Sequence, residues 1–175
     1  MWGLTLESAL DRTDLLAEPV TSAIRGWKGD GAFQVAEIDP ELADTAAFCE
    51  RYGVPLEASA NCVIVAGKRG GEVRLAACVV LATTRADVNG VVRKHLDARK
   101  ASFAPQDQAV AETGMEYGGI TPFGLPSTWP VLVDKAVTEQ AYVVVGSGVR
   151  RSKLVVPGAA LAEIGTAEVL ADLAR

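Results

Sequence analysis

The residue types best suited to chemistry are gathered in one stretch, Thr113-Gly114-Met115-Glu116-Tyr117-Gly118-Gly119-Ile120-Thr121-Pro122-Phe123-Gly124. Glycine lets backbone N–H groups turn toward one point and lets a ligand approach closely. Pro122 stiffens the far side and Thr121 adds a hydroxyl. Such a loop can form a nest for a carbonyl oxygen or an anion, and so stabilise the charge of a tetrahedral intermediate. A plain surface turn is the other reading of the same residues. The remaining reactive groups are sparse. His95 is the only histidine and would suit a general base, but its place among Arg93 and Lys94 on the polar side of an expected helix marks it as solvated. Cys62 beside Asn61 could be a nucleophile. It opens an apolar run with no histidine nearby, so inert burial is the expectation.

The elements that must carry this loop follow from local pattern. Leu6, Leu10 and Ala17, with Leu15 and Leu16, form a rough helical stripe over Leu4 to Ala17, with Thr5 available as a cap. Phe33 to Ile38 alternates like a half-buried strand. Asp39-Pro40-Glu41 opens a helix that Gly53 ends. Cys62 to Ala66 and Val73 to Leu81 read as a hairpin across a basic, glycine-rich tip, Gly67 to Gly71. A helix is expected over Ala86 to Leu96, a strand over Lys100 to Phe103, and a short helix from Pro105 to Gly114. Met115 to Pro130 is irregular. Val131 to Val133, Tyr142 to Val145 and Lys153 to Val156 are further strands, and Pro157 to Ile164 is a closing helix. The sum is a mixed α+β domain, six or seven strands in a curved sheet or small barrel flanked by helices. Residues 1–32 read as an acidic, helical N-terminal extension packed on the domain formed by residues 33–175. Trp2, Trp27 and Trp129 have no platform-like spacing and are read as packing residues, as is Met115.

Composition narrows the class. The chain has 175 residues, 49% hydrophobic and 22% charged, close to the globular average, so disorder is not expected. No apolar run nears the ~20 residues of a membrane helix. The first residues lack a basic start and an apolar signal core, so the expectation is a cytoplasmic protein with no membrane partner. Cys49, Cys62 and Cys78 cannot all pair and lack metal-ligand spacing, so neither metal nor cofactor is expected. The net charge of −5 divides unevenly, −7 over residues 1–60, +4 over 61–153 and −2 over 154–175. An acidic chain is a poor grip for a long duplex, so DNA is not an expected partner. A basic middle segment can still receive a short or terminal piece of RNA, or be ordinary surface scatter.

The loop also carries a resemblance. Thr113-Gly114, Gly118-Gly119-Ile120-Thr121-Pro122-Phe123-Gly124-Leu125 and Pro130 to Asp134, in that order, resemble the YbaK/prolyl-tRNA synthetase-associated editing domain. Tyr52-Gly53-Val54-Pro55, the Val143 to Gly148 strand with its Gly-Ser-Gly, and Leu154-Val155-Val156-Pro157 keep matching spacing. The resemblance spans roughly residues 33–165, and Gly118-x-x-x-Pro122 is its most specific part.

What the resemblance implies is hydrolysis of the ester joining a wrong amino acid to the 3′ end of a tRNA, by a freestanding deacylase that edits in trans. Gly118, Gly119, Ile120, Thr121 and Pro122 would hold the scissile carbonyl, while water or the terminal ribose hydroxyl attacks. Asn61, Tyr117, Phe123, Gly124, Asp134, Ser147, Gly148, Arg150 and Lys153 are the expected substrate contacts, Asp134 with a turn or capping role as its alternative. The partners implied are the tRNA 3′ acceptor end and an aminoacyl-tRNA synthetase. Arg93, Lys94, Arg99 and Lys100 would either guide that end or form a solvated face. One position departs from the pattern. Many family members carry a lysine where this sequence has Asn61, which can hydrogen-bond but holds no charge. Arg150, Arg151 and Lys153 could return a cation from another side. The same departure keeps open a non-catalytic module binding an amino acid, a nucleotide or a tRNA end, and a hydrolase of small esters is a third reading.

Overall fold

The computed structural model describes residues 1–29 and 31–175. From the N-terminus the elements are β1 (Glu7–Ser8), α1 (Glu18–Arg25), β2 (Gln34–Glu37) and α2 (Thr45–Tyr52). The hairpin β3 (Ala60–Arg69) and β4 (Glu72–Leu81) is followed by α3 (Arg93–His95), β5 (Lys100–Phe103) and α4 (Gln106–Thr113). The chain ends with β6 (Val131–Asp134), α5 (Lys135–Thr138), β7 (Val143–Gly146), β8 (Ser152–Val156) and β9 (Ala167–Leu170). The architecture is α+β, as the pattern implies, with nine strands among the described residues rather than six or seven.

The strands form two sheets, ordered β1-β2-β8-β7 and β5-β3-β4-β6-β9. Their apolar faces meet in one core that holds Leu15, Val20, Ile64, Val79, Val133, Val145 and Leu154. β3 lies at the seam. β5 covers it only from Val65 to Lys68, and β7 meets the residue just before it at the single bridge Ser59–Val144. Residues Ala60 to Ile64 are therefore left facing a cleft between the sheets. A sheet that parts in this way exposes a strand without exposing a long edge, which would invite aggregation.

Four local expectations are corrected. Leu4 to Ala17 is not a helix but β1 and two short 3-10 turns, and the helix begins later, at Glu18, with Pro19 in its first turn. The backbone of this segment is spent on distant partners. Ala9 donates to the Phe33 carbonyl (3.0 Å), Ala17 to the Ser147 carbonyl (3.2 Å), and Ser152 Oγ donates to the Leu15 carbonyl (2.5 Å). The expected helix from Asp39 to Gly53 is broken. Asp39 caps a 3-10 turn at Pro40–Leu42, and the chain straightens at Asp44 before α2 starts at Thr45. The closing segment is likewise 3-10 (Gly158–Glu163), and the residues after it form β9, parallel to β6. The glycine-rich tip is shorter than its sequence implies, because β3 runs through Arg69 and only Gly70-Gly71 turn.

Candidate active site

The cleft at the seam has a volume of about 310 Å3. Its walls come from five places far apart in sequence, with Ala109 of α4 added to the floor. These are the break before α2 (Ala43, Asp44, Thr45), β3 (Ala60 to Ile64), the end of β5 (Phe103, Ala104), the glycine loop (Tyr117, Gly118, Ile120), and Gly146 with Lys153 from β7 and β8.

The loop is held by its own backbone and by the β7–β8 connection. Glu116 N–H donates to the Gly148 carbonyl (2.9 Å), Gly148 N–H to the Gly119 carbonyl (2.7 Å), and Arg150 N–H to Glu116 Oε1 (2.7 Å). Gly119 N–H closes a turn onto the Glu116 carbonyl (3.0 Å), and Thr121 N–H points at Met115 Sδ (3.5 Å). The amides of Glu116, Gly119 and Thr121 are thus already used. The N–H groups of Tyr117, Gly118 and Ile120, all on the cleft wall, have no acceptor among the described residues. Two positions require glycine here. Gly118 has φ +86°, and a Cβ on it would collide with the Arg150 guanidinium. A Cβ on Gly119 would lie 2.8 Å from the Val149 backbone, so any side chain there would push the loop off the β7–β8 connection.

Lys153 supplies the cleft's cation. It is buried, its Nζ donates to the Ala43 carbonyl (3.0 Å), and it lies 5.3 Å from the centroid of the Phe48 ring. Burial pushes its ammonium down to about 8, and the charge of Arg150 pushes the same way, against Cys49 and Asp44. The break before α2 now has a physical reason. A continuous helix would spend the Ala43 carbonyl on its own turn, whereas the break frees it to receive the ammonium. A buried charge needs such a partner. Asn61 Oδ1 accepts a hydrogen bond from Thr45 Oγ1 (2.7 Å), which leaves its amide N–H groups for the cleft. Arg150 closes the rim, donating to the carbonyls of Pro40 (3.1 Å) and Tyr117 (3.4 Å), with Asp44 3.8 Å away.

Of the residues expected at the site, Asn61, Tyr117, Gly118, Ile120 and Lys153 line the cleft together. Gly119 and Thr121 are buried behind it. Pro122, Phe123 and Gly124 face a different depression beside Trp27. Phe123 packs edge-on against Trp27 and Phe33, with centroids 5.6 and 5.0 Å away, and so anchors the loop's far end. Ser147 is buried, and its hydroxyl lies 2.6 Å from Ser152 Oγ and 3.1 Å from each of the carbonyls of Val149 and Ser152, which share its single proton. Gly148 packs on Ala17. Asp134 lies outside the cleft, at the start of α5, where burial pushes its carboxyl above the ordinary range.

Cys62 does line the cleft, yet burial drives its thiol far above the range in which a thiolate forms. His95 is outside, paired with the Glu168 carboxylate. Sequence reasoning missed Ala43, Thr45 and Phe103. No local signal marks the first two, since both sit inside what reads as one helix. Phe103 merely ends a strand pattern. Among the described residues no helix is long and apolar enough to cross a membrane, and no group of three His, Cys, Asp or Glu side chains could hold a metal ion.

Solved structures share this architecture. A hypothetical protein, APE2540, superposes with a TM-score of 0.76 at 22% identity, covering 90% of this chain and all of its own. A protein described as a candidate trans-editing enzyme for prolyl tRNA synthetase gives 0.72 at 18% identity, covering 88% of this chain and 94% of its own. A candidate signal transduction protein from Marinobacter aquaeolei VT8 gives 0.59 at 18% identity, and there the match covers 89% of this chain but 30% of the longer one. No curated protein is matched. The family model for the aminoacyl-tRNA editing domain matches residues 39–164, a span that contains the cleft walls from Ala43 to Lys153, and the chain belongs to that family.

Proposed function

We propose that the cleft hydrolyses the ester between an amino acid and the 3′ end of a mischarged tRNA, acting in trans in the cytoplasm. One observation carries the reading. The cleft gathers hydrogen-bond donors around an apolar floor, and the thiol on its wall, Cys62, is kept protonated by burial. The unpartnered amides of Gly118 and Ile120, the Asn61 amide and the Lys153 ammonium would offer protons to an oxygen-rich ligand. The floor of Ala60, Ile64, Ala104 and Ala109 suits an acyl side chain.

An aminoacyl ester needs little more. It is already activated, and attack can come from water or from the neighbouring ribose hydroxyl. The Gly118 and Ile120 amides would take the charge that develops on the carbonyl oxygen. One such donor contributes about 10²–10³ in rate in well-studied hydrolases. Asn61, held by Thr45, would orient the substrate through its amide N–H groups, and Lys153 would face a second oxygen of the ligand. The basic residues of the middle segment would guide the RNA end, and a synthetase that makes the wrong ester is the partner this activity calls for.

The second reading is a non-catalytic module that holds the same ligand. Asn61, uncharged where the family resemblance implies lysine, favours it. Lys153 weighs against it, because a cation reaches the same cleft from β8. A panel of mischarged tRNAs separates the two. The deacylase reading expects release of the amino acid at least tenfold above the spontaneous rate, with Gly118→Val reducing that release about 10²–10³-fold while circular dichroism stays unchanged. A protected ester would establish the binder, and full turnover by Gly118→Val would remove the loop from the mechanism.

A further inference from the structure

A second depression, about 550 Å3, adjoins the first. Asn61, Val63 and Phe103 line both, and the new walls come from Val80 and the segment from Thr84 to Asn89. Phe103 stands at the junction with 63% of its surface exposed. A phenyl ring left in water where two clefts join is a surface that a planar ligand would cover at a gain.

The polar groups of the second cleft are unequal. Asp87 is the only carboxylate on its wall, and it is already occupied. It accepts from the N–H groups of Gly90 (3.1 Å) and Val91 (3.4 Å) and pairs with Arg175 (3.1 Å). Arg85 is exposed, and its guanidinium has no hydrogen bond or ion pair among the described residues. Its backbone is nevertheless fixed by a reciprocal pair of bonds with Arg175 (2.9 Å each). Asn89 is exposed beside it. A free cation on an anchored backbone, an uncommitted amide and an open aromatic face match a phosphate, a base edge and a base plane in turn.

We propose that this second cleft is the subsite for the nucleotides that precede the terminal adenosine of the bound RNA, with a base stacked on Phe103 and a phosphate held by Arg85. The inference rests on the proposed deacylase reading for the position of the terminal nucleoside, and on its own residues for everything beyond it. The single-stranded form is required because stacking on Phe103 needs an unpaired base.

The test compares three esters of one amino acid: on adenosine, on the trinucleotide CCA, and on tRNA. For the wild type, kcat/KM is expected to rise about tenfold or more from adenosine to CCA, since stacking of a base on an aromatic ring commonly contributes that much. Arg85→Glu and Phe103→Ala should each collapse the ratio of the two toward one. Binding of uncharged CCA, read by fluorescence anisotropy, needs no turnover, and both variants should weaken it about tenfold. Length dependence and CCA binding that survive both substitutions would overturn the subsite, as would a wild type that gains nothing from the added nucleotides and fails to bind CCA. If the wild type cleaves none of the esters yet binds CCA in a manner sensitive to both substitutions, the subsite stands and ester cleavage falls.

Discussion

Lys153 shows how a single residue can set both stability and pH dependence. Its ammonium titrates near 8 in the folded chain against an ordinary value of 10.5. Between those values the unfolded chain holds a proton that the folded chain has released, so stability rises with pH across that window. Below about 8 the cost of burying the charge is fully present. Lys153→Met should therefore be the more stable protein at pH 7, by up to about 3 kcal/mol less the lost bond to Ala43. The advantage should shrink as pH climbs from 8 to 10.5. Urea unfolding of both proteins at pH 7, 8, 9 and 10 measures this directly, and a pH-independent difference would contradict the buried ammonium. Activity should run the other way. Deacylation, corrected for spontaneous hydrolysis, should decline as pH rises through about 8 if Lys153 donates to the substrate, and should be lost in Lys153→Met at every pH.

At the scale of elements, the cleft depends on segments that leave regular structure. The Asp39-Pro40 cap is plain in the sequence, and so is the end of α2 at Gly53, because both act through neighbours within a turn. The break at Ala43-Asp44 is not legible, because its cause is Lys153, 110 residues away. The same logic explains the N-terminal segment. Its leucines have helical spacing, yet its carbonyls and amides are bound by Phe33, Ser147 and Ser152, which no local window contains. The hairpin, β5, β6 and β8 were readable since their patterns and their tertiary roles agree. The glycine loop was readable as an irregular, glycine-rich segment, but not the division of its amides into those with a partner and those without.

The Ser147–Ser152 pair is the joint between these segments. Ser152 Oγ bridges Ser147 Oγ and the Leu15 carbonyl in a fully buried place. Removing one hydroxyl strands the others, which costs about 1–3 kcal/mol for a buried polar group. Ser152→Ala should lower stability by that amount, seen as a lower denaturant midpoint with an unchanged slope. Its kcat should fall as well, because the β7–β8 connection that steadies Glu116 and Gly119 loosens. A variant as stable as the wild type would show that the hydroxyls do not carry this junction.

On the scale of the whole molecule, the charge asymmetry and the fold point in different directions. The excess of negative charge lies in the first 60 residues, yet residues of this acidic segment reach into the apolar core. β1 extends the first sheet, and Leu15, Leu16, Val20 and Ile24 are buried in the same core as Phe33 and Phe123. Arg12 gathers Glu7 and Asp14 of the arm and Glu37 of β2 around one guanidinium, so part of the acidity is compensated where the arm meets the sheet. Four buried aliphatic side chains at roughly 1.5–3 kcal/mol each amount to about 6–12 kcal/mol. That is comparable with the entire stability of an ordinary domain, about 5–15 kcal/mol. A fragment beginning at residue 33 should therefore fail to fold cooperatively: its thermal transition should be broad or absent and it should bind a hydrophobic dye. Adding residues 1–32 as a separate peptide should restore part of the transition. A fragment that melts sharply near the full chain's midpoint would mean that the arm lies on a finished domain. As packed, it closes the core behind the glycine loop, and its removal should also unseat Phe123 and Gly148, the two ends by which that loop is held.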